Sequence, residues 1–302
     1  MRLKTTSPKI TLSILLGLFS AFSFISLHVM AAEKATPLKA VAAKAAPAKK
    51  VVQPNPEFLS GSKSYTYKVI DDISLRLHVF GTQAVSEKPK PAIIFFFGGG
   101  LRSGSVMQFF SQATALSEQG MLAIVADYRV LLRHNTGAVE SVADAQSAIR
   151  WLREHASELN LDPNNIVAAG GSSGGYLAAA TATVDELDKQ STFSSKPNAI
   201  ALFNPALAGK YPRTGKSLSP YQSLIDESVP TFIVHGDADK IVPFSSAVAY
   251  CDKVISLKGY CELHRYAGAE HGFFNRGRDD GKAYLATLSQ LETFLIKFDF
   301  MN

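Results

Sequence analysis

Residues 64–70 and 73–80 alternate apolar and polar side chains on either side of Asp71-Asp72. A period of two with one polar face predicts an antiparallel hairpin that is solvated on one side. From Pro91 the pattern changes. Residues 92–97 are apolar without interruption, as expected of a strand covered on both faces, and shorter strand-like runs recur at 121–126, 165–169, 199–203, 231–234 and 262–266. Helical periodicity fills the intervals at about 106–118, 139–159 (with the only Trp, Trp151), 174–187, 244–256 and 284–297. Strand and helix alternating after an antiparallel start predict an α/β fold: a mostly parallel central sheet, an antiparallel N-terminal hairpin and helices on both faces. No internal repeat is visible.

The first thirty residues do not belong to this pattern. Arg2, Lys4 and Lys9 precede an apolar run over 10–27, and Val29-Met30-Ala31-Ala32 offers small residues for cleavage. These features predict a signal peptide over residues 1–31, hence an exported chain, periplasmic or secreted, with no stable membrane insertion after cleavage. An uncleaved anchor is the alternative, since the run approaches spanning length; Ser20, Ser23 and Ser26 dilute it. Residues 32–56 are Ala, Lys and Pro with almost no large apolar side chain, too little to offset the entropy of ordering, which predicts a disordered linker. The catalytic domain is then expected over residues 57–302, and 46% hydrophobic residues suit the core of one large domain.

Charge separates along the same boundaries. The chain of 302 residues carries a net +5, of which the leader holds three positive charges and the linker a net four, leaving the remainder at about −2. A near-neutral domain has no electrostatic footprint for nucleic acid. Cys251 and Cys261 are the only cysteines. An even pair in an exported chain predicts a disulfide, with two buried thiols as the alternative. No histidine or acidic cluster surrounds them at metal-site spacing, and neither a metal nor an organic cofactor is expected.

The chemistry is concentrated at the ends of the predicted strands, where open α/β sheets gather their ligands. Gly170-Gly171-Ser172-Ser173-Gly174-Gly175 ends one apolar run and opens an Ala-rich helix. A serine between glycines at a strand-to-helix turn is a nucleophile elbow, whose sharp turn leaves no room for side chains two residues to either side. Both Ser172 and Ser173 fit the five-residue pattern. The strand 165–169 ends at Gly170, which favours Ser172 as nucleophile and leaves Ser173 to supply a backbone N–H to an oxyanion hole. Gly98-Gly99-Gly100 ends the 92–97 strand and offers unobstructed N–H groups. Asp237 and Asp239 both follow the 231–234 strand, where an acid could orient a histidine. His271 follows the last strand, and Ser…Asp…His is the chain order of α/β-hydrolases.

With these motifs the chain resembles the α/β-hydrolase esterases and lipases related to hormone-sensitive lipase, and is most similar to small, exported acetylesterase-like or carbohydrate-esterase-like members. The resemblance rests on Gly98-Gly99-Gly100, Asp127-Tyr128-Arg129, the elbow, His235-Gly236-Asp237-Ala238-Asp239 and His271-Gly272-Phe273-Phe274, and covers about residues 65–298. It implies an α/β-hydrolase fold and a triad of Ser172, Asp239 (rather than Asp237) and His271, with Gly98, Gly99 and Ser173 donating to the oxyanion. It departs from the family at Phe97, where a histidine is usual, at Gly171, where an acidic residue is usual, and at Ser173, where alanine is usual. Residues 204–229 leave room only for a short insertion, so no large cap domain is expected. Gly100, Phe273 and Phe274 are expected to wall a shallow acyl pocket.

The implied activity is hydrolysis of small-molecule carboxylic esters, short-chain and acetyl-type, including acetylated carbohydrates. Two other readings compete: a prolyl-oligopeptidase-like serine peptidase, because Gly174-Gly175-Tyr176 resembles that elbow, and a hydrolase fold retained as a non-catalytic binding module. The former usually carries a propeller domain for which 302 residues leave no room, and the latter predicts a broken triad. Nothing in the sequence fixes an oligomeric state.

Overall fold

The computed structural model describes residues 54–82, 86–187, 191–208, 218–226 and 228–301. The expected signal peptide, and the linker up to residue 53, lie outside the described residues. Pro54–Pro56, which composition assigns to the linker, already belong to the fold. The Asn55 side chain donates to Asp127 Oδ1 (2.5 Å) and accepts from Val106 N (3.2 Å), so both ends of its amide are used.

Eight strands form one sheet: β1 Lys63–Ile70, β2 Ile73–Phe80, β3 Lys90–Phe96, β4 Leu122–Ala126, β5 Leu161–Gly171, β6 Ala199–Phe203, β7 Thr231–Gly236 and β8 Cys261–Tyr266. The helices are α1 Phe110–Glu118, α2 Leu131–His134, α3 Ala138–Glu154, α4 Ala156–Leu159, α5 Ser173–Thr183, α6 Pro220–Ser223, α7 Phe244–Ser256 and α8 Lys282–Lys297. The sheet order is β1-β2-β4-β3-β5-β6-β7-β8, antiparallel for β1–β2 and β2–β4 and parallel from β4 to β8.

This order reverses at β3. The chain steps from β3 to β4 in one direction, then crosses back over β3 to β5. Right-handed crossovers therefore place α1 and α3 on opposite faces. α5 packs with α3, whereas α8 returns to the α1 face, where Tyr284 Oη donates to Ser111 O. Covered on both sides, β3, β4, β5, β6 and β7 bury nearly every apolar side chain they carry, which is why these runs lack polar alternation. The reversal also opens a crevice beyond the carboxyl ends of β3 and β5, the place where such sheets bind ligands.

Several element boundaries differ from the periodicity, three of them instructively. The helix expected over 139–159 breaks at His155 (φ −101°, ψ 19°) into α3 and α4, and Asn160, in the left-handed region at φ 51°, turns the chain into β5. The helix expected to reach residue 187 stops at Thr183, because buried Gln146 of α3 claims the next turn: its amide donates to Val184 O and Asp185 O and accepts from Leu187 N. β5 starts at Leu161, four residues before the apolar run.

Cys251 and Cys261 are disulfide-bonded, tying α7 to β8. Closing so short a loop in the unfolded chain is worth about 3 kcal/mol. Among the described residues no helix is long and apolar enough to cross a membrane.

Candidate active site

Ser172 sits between β5 and α5 with φ 54° and ψ −117°, a strained conformation for a residue with a Cβ. The neighbouring packing holds it there. Ser172 N donates to Phe203 O, while its carbonyl accepts from Tyr176 N and Ala206 N. The turn is tight enough that a Cβ on Gly170 would lie 2.4 Å from the Gly174 carbonyl, and one on Gly174 would lie 2.0 Å from Phe96 O. Glycine at these two positions is therefore a steric requirement, and it frames Ser172 rather than Ser173. The Ser172 side chain is half-buried; Ser173 is fully buried, its Oγ accepting from Leu101 N at 3.2 Å.

His271, on the loop after β8, places Nε2 3.0 Å from Ser172 Oγ and Nδ1 2.6 Å from Asp239 Oδ2. Asp239 is enclosed by donors. Oδ1 accepts from Ile241 N and Val242 N at 2.8 and 2.9 Å, and Oδ2 also accepts from Asn204 Nδ2 at 2.8 Å. Burial pushes its pKa up, but the bonds from Val242 N, His271, Ile241 N and Asn204 outweigh burial and hold it below the ordinary carboxylate value. His235, fully buried, hydrogen-bonds Val242 O through Nε2 (3.0 Å), with Asp239 Oδ2 3.4 Å away. A carbonyl can only accept, so this nitrogen carries the proton. Burial lowers the pKa of His235, which keeps the ring neutral.

Asp237 has a different task. It pairs with Arg265 at 2.6 Å and accepts from Gly268 N at 2.7 Å, and the Arg265 bond holds its pKa down. A Cβ on Gly236 would lie 2.2 Å from Ala269 O, so the turns after β7 and β8 touch backbone to backbone. Asp237 thus clasps together the two turns that bring Asp239 and His271 within reach of each other.

The glycine loop after β3 lies beside the serine, because Phe96 pairs with Gly170 across β3 and β5. A Cβ on Gly98 would lie 3.2 Å from Ser172 Cβ. Without the family's usual histidine, Phe97 stacks on Tyr128 (centroids 4.2 Å apart), beneath the Arg133 guanidinium at 5.6 Å. Tyr128 Oη donates to Phe97 O, and Arg133 donates to Gly104 O and Asp127. The Asp127-Tyr128-Arg129 motif is structural throughout: Arg129 forms a two-pronged pair with buried Asp144, both contacts at 2.8 Å.

One expected donor is committed elsewhere. Gly98 N, assigned by resemblance to the oxyanion hole, donates to Gln108 Oε1 at 2.6 Å. The N–H groups of Gly99, Gly100 and Ser173 make no hydrogen bond to a described residue. Gly100 (φ 67°) faces open space. The two aromatic rings expected beside the acyl pocket lie deep in the structure. Phe274 is 1% exposed and lies among Phe109, Phe203 and Phe273, its ring tip 2.6 Å from where a Gly171 Cβ would be. Phe273 packs on Tyr266 at 4.5 Å and is 8% exposed. The Phe274 ring fills the space that a side chain at Gly171 would need.

Sequence reading did not find Asn204, His235 as a neighbour of the acid, Gln108 or Asn275. Asn204 had a signal, since it follows a buried strand and asparagine tolerates the left-handed φ of 44° found there. Gln108 and Asn275 carried none, being polar residues on turns. Among the described residues no group of three or more His, Cys, Asp or Glu side chains could hold a metal ion.

A family profile described as BD-FAE matches residues 79–214, and one described as the prolyl oligopeptidase family matches 190–295. Esterase LipC of Mycobacterium tuberculosis is 26% identical over 238 residues, covering 67% of this chain and 58% of that protein. An acetylxylan esterase of Xylanibacter ruminicola is 24% identical over 234 residues, covering 70% of this chain and 46% of that protein. The chain thus spans about half the length of these curated relatives. The solved thermophilic esterase Est2 of Thermogutta terrifontis superposes with a TM-score of 0.76 at 40% identity, over 80% of this chain and 96% of that one. Identity at this level across nearly a whole solved esterase chain establishes kinship as well as fold, and the protein belongs to the esterases of the α/β-hydrolase family.

Proposed function

We propose that the chain is a serine carboxylester hydrolase for short acyl esters, acetyl above all, working through an acyl-enzyme. The observation that carries this reading is the approach of His271 Nε2 to within 3.0 Å of Ser172 Oγ while Nδ1 engages Asp239. Ser172 Oγ attacks the ester carbonyl carbon as Nε2 takes its proton. The carbonyl π electrons move onto oxygen, which the N–H groups of Gly99 and Ser173 receive at the N-terminus of α5. The tetrahedral adduct collapses, breaking the bond to the alcohol oxygen, which leaves with the proton from His271. Water, deprotonated by His271, attacks the acyl carbon; this second adduct collapses by breaking the bond to Ser172 Oγ, which takes the proton back from His271 as the acid leaves. Asp239 keeps the imidazole in the required tautomer and steadies the imidazolium; held low in pKa, it stays anionic throughout.

Short acyl groups are favoured because the Phe109 and Phe274 rings fill the space under Gly171 and so limit the depth open to an acyl chain there. Est2 is described bound to propionate and to butyrate, which fits this size. The acetylxylan esterase relative supports acetylated carbohydrate as the natural class. Export through the N-terminal leader places such an enzyme where polysaccharide is met, and a disulfide suits an oxidising compartment. The test is kcat/KM on p-nitrophenyl esters from acetate to palmitate, with acetylated xylo-oligosaccharides alongside. The rate should fall beyond about four carbons, since a methylene that fits gains only ~1 kcal/mol and one that collides loses more. A maximum at eight carbons or longer would replace this reading with a lipase. The prolyl oligopeptidase profile over residues 190–295 makes peptide amides the second substrate class to assay; turnover of a dipeptidyl amide above that of the acetate ester would reverse the order.

A further inference from the structure

Gln108 stands on a 3-10 turn, Val106–Phe109, that follows the glycine loop, and Asn275 stands on the turn that follows His271. Their side chains form a continuous hydrogen-bonded line between the two loops. Gly98 N donates to Gln108 Oε1 at 2.6 Å, Gln108 Nε2 donates to Asn275 Oδ1 at 3.2 Å, and Asn275 Nδ2 donates to Gly272 O at 2.7 Å. The orientation of both amides follows from the ends. A backbone N–H can meet only the oxygen of Gln108, so its nitrogen faces Asn275; a backbone carbonyl can meet only the nitrogen of Asn275, so its oxygen faces Gln108. Every donor in the line finds an acceptor in one direction only. The line starts one residue before Gly99 and ends one residue after His271.

We propose that Gln108 and Asn275 are positioning residues, a two-amide strut that fixes the distance between the oxyanion loop and the general base; the proposal rests on the serine-hydrolase reading of the site. Gly98 N–H is then the anchor of the oxyanion loop, and Gly99 and Ser173 are left to receive the oxyanion. The strut matters because donors must lie within tenths of an ångström of the developing charge, and glycine loops have little stiffness of their own. Gly272 reinforces the other end: at φ 77° it carries no side chain, and a Cβ there would come 3.0 Å from Asn275 Nδ2.

The test is a double-mutant cycle of Gln108→Met, Asn275→Leu and the double variant in the full-length protein, each substitution keeping volume while removing the amide. Fluorophosphonate labelling to completion counts competent Ser172 sites, so kcat is expressed per labelled site. Each single variant should lose roughly tenfold to a hundredfold in kcat with KM within about threefold. The double variant should lose no more than the worse single one, because either substitution already breaks the line. Unchanged kcat in Gln108→Met, or losses that multiply in the double variant, would overturn the strut. If Gln108→Met does not fold, Gln108→Glu carries the test. Its carboxylate still accepts from Gly98 N–H but cannot donate to Asn275, so kcat should fall and KM hold; wild-type kcat there would also overturn the proposal. A wild type that neither labels nor turns over esters would remove the hydrolase reading, and the strut with it. A labelled, active wild type beside unaffected variants would remove the strut alone.

Discussion

Asn204 Nδ2 lies 2.8 Å from Asp239 Oδ2, the same oxygen that receives His271 Nδ1 at 2.6 Å. Asn204 is held for this task at φ 44°, its N–H bonded to Val234 O across β6 and β7. The acid is therefore oriented from three strand ends: β6 through Asn204, β7 through its own turn and β8 through the histidine. Asn204→Gly removes the amide while tolerating the positive φ, and should lower kcat/KM by about tenfold, in line with loss of one hydrogen bond to a charged group. Kinetics on an acetate ester check this, and a rate within twofold of wild type would make Asn204 a turn residue only.

The two elbow serines should separate cleanly. Ser172→Ala should cost about 10³-fold or more in kcat, since members of a triad act as a unit. Ser173→Ala keeps its backbone N–H but loses the bond from Leu101 N, which secures the far end of the glycine loop, so a loss of roughly threefold to tenfold is expected. Comparing kcat for the two variants decides the frame of the elbow, and the reverse ranking would put the nucleophile at Ser173.

Asp239→Asn should be far more damaging than Asp237→Asn. An amide at 239 cannot serve as a pure acceptor for His271 Nδ1–H and favours the wrong imidazole tautomer, for which about 10⁴-fold in kcat is the handle given by serine-protease triads. Asp237→Asn loses the Arg265 pair at an exposed site, and its effect should stay within about threefold, as surface pairs usually allow. Equal, mild losses in both variants would require another acid.

The sequence carried most of the fold because burial on both faces writes uninterrupted apolar runs into β3, β4 and β6, and because the elbow demands glycine at 170 and 174. Position along the chain could not separate Asp237 from Asp239, since both follow the same strand; the family resemblance pointed to Asp239, and the partners, Arg265 for one and His271 for the other, give the physical reason. The end of α5 was illegible for a related reason, because Gln146, nearly forty residues earlier, stops it. The packing of Phe273-Phe274 was not legible either. Residues beside a catalytic histidine invite a pocket role, whereas the missing side chain at Gly171 makes room for an aromatic ring in the core. Polar residues on turns, such as Gln108, acquire meaning only when two distant loops are brought together.

Acid should weaken the fold partly through His78. Burial, with Arg76 adding to it, pushes its pKa down to about 4, and Nδ1 bonds Ser64 Oγ at 2.8 Å. Unfolded, the ring titrates near the ordinary value of about 6.5. Between those values the unfolded chain holds a proton that the folded one does not, so stability falls as pH drops from about 6.5 to about 4 and is untouched above that window. His235, also lowered by burial, acts in the same direction. Thermal melts between pH 7.5 and 4.5 should show Tm declining, with a shallower decline in His78→Gln; parallel curves for the two proteins would exclude this source.

Gly171 and Phe274 should behave as a matched pair. Gly171 stands where the family pattern has an acidic residue, and here a Cβ would meet Phe274 Cζ at 2.6 Å and Phe109 Cζ at 3.2 Å. The Phe274 ring cannot simply swing aside, because Phe109, Phe203 and Phe273 pack against it. Gly171→Ala should therefore cost about 1–3 kcal/mol through overpacking, and it should lower kcat as well, because the strain falls on the peptide next to Ser172. Trimming the ring in Phe274→Leu leaves a cavity and is destabilising alone. The double variant places the new methyl in the vacated space, and should be more stable than the sum of the two single losses predicts, with kcat recovered toward wild type. Chemical denaturation of the four proteins measures the coupling. Strict additivity would show that the ring and the glycine do not share one space, and the aromatic floor beneath the elbow would lose its part in limiting acyl length.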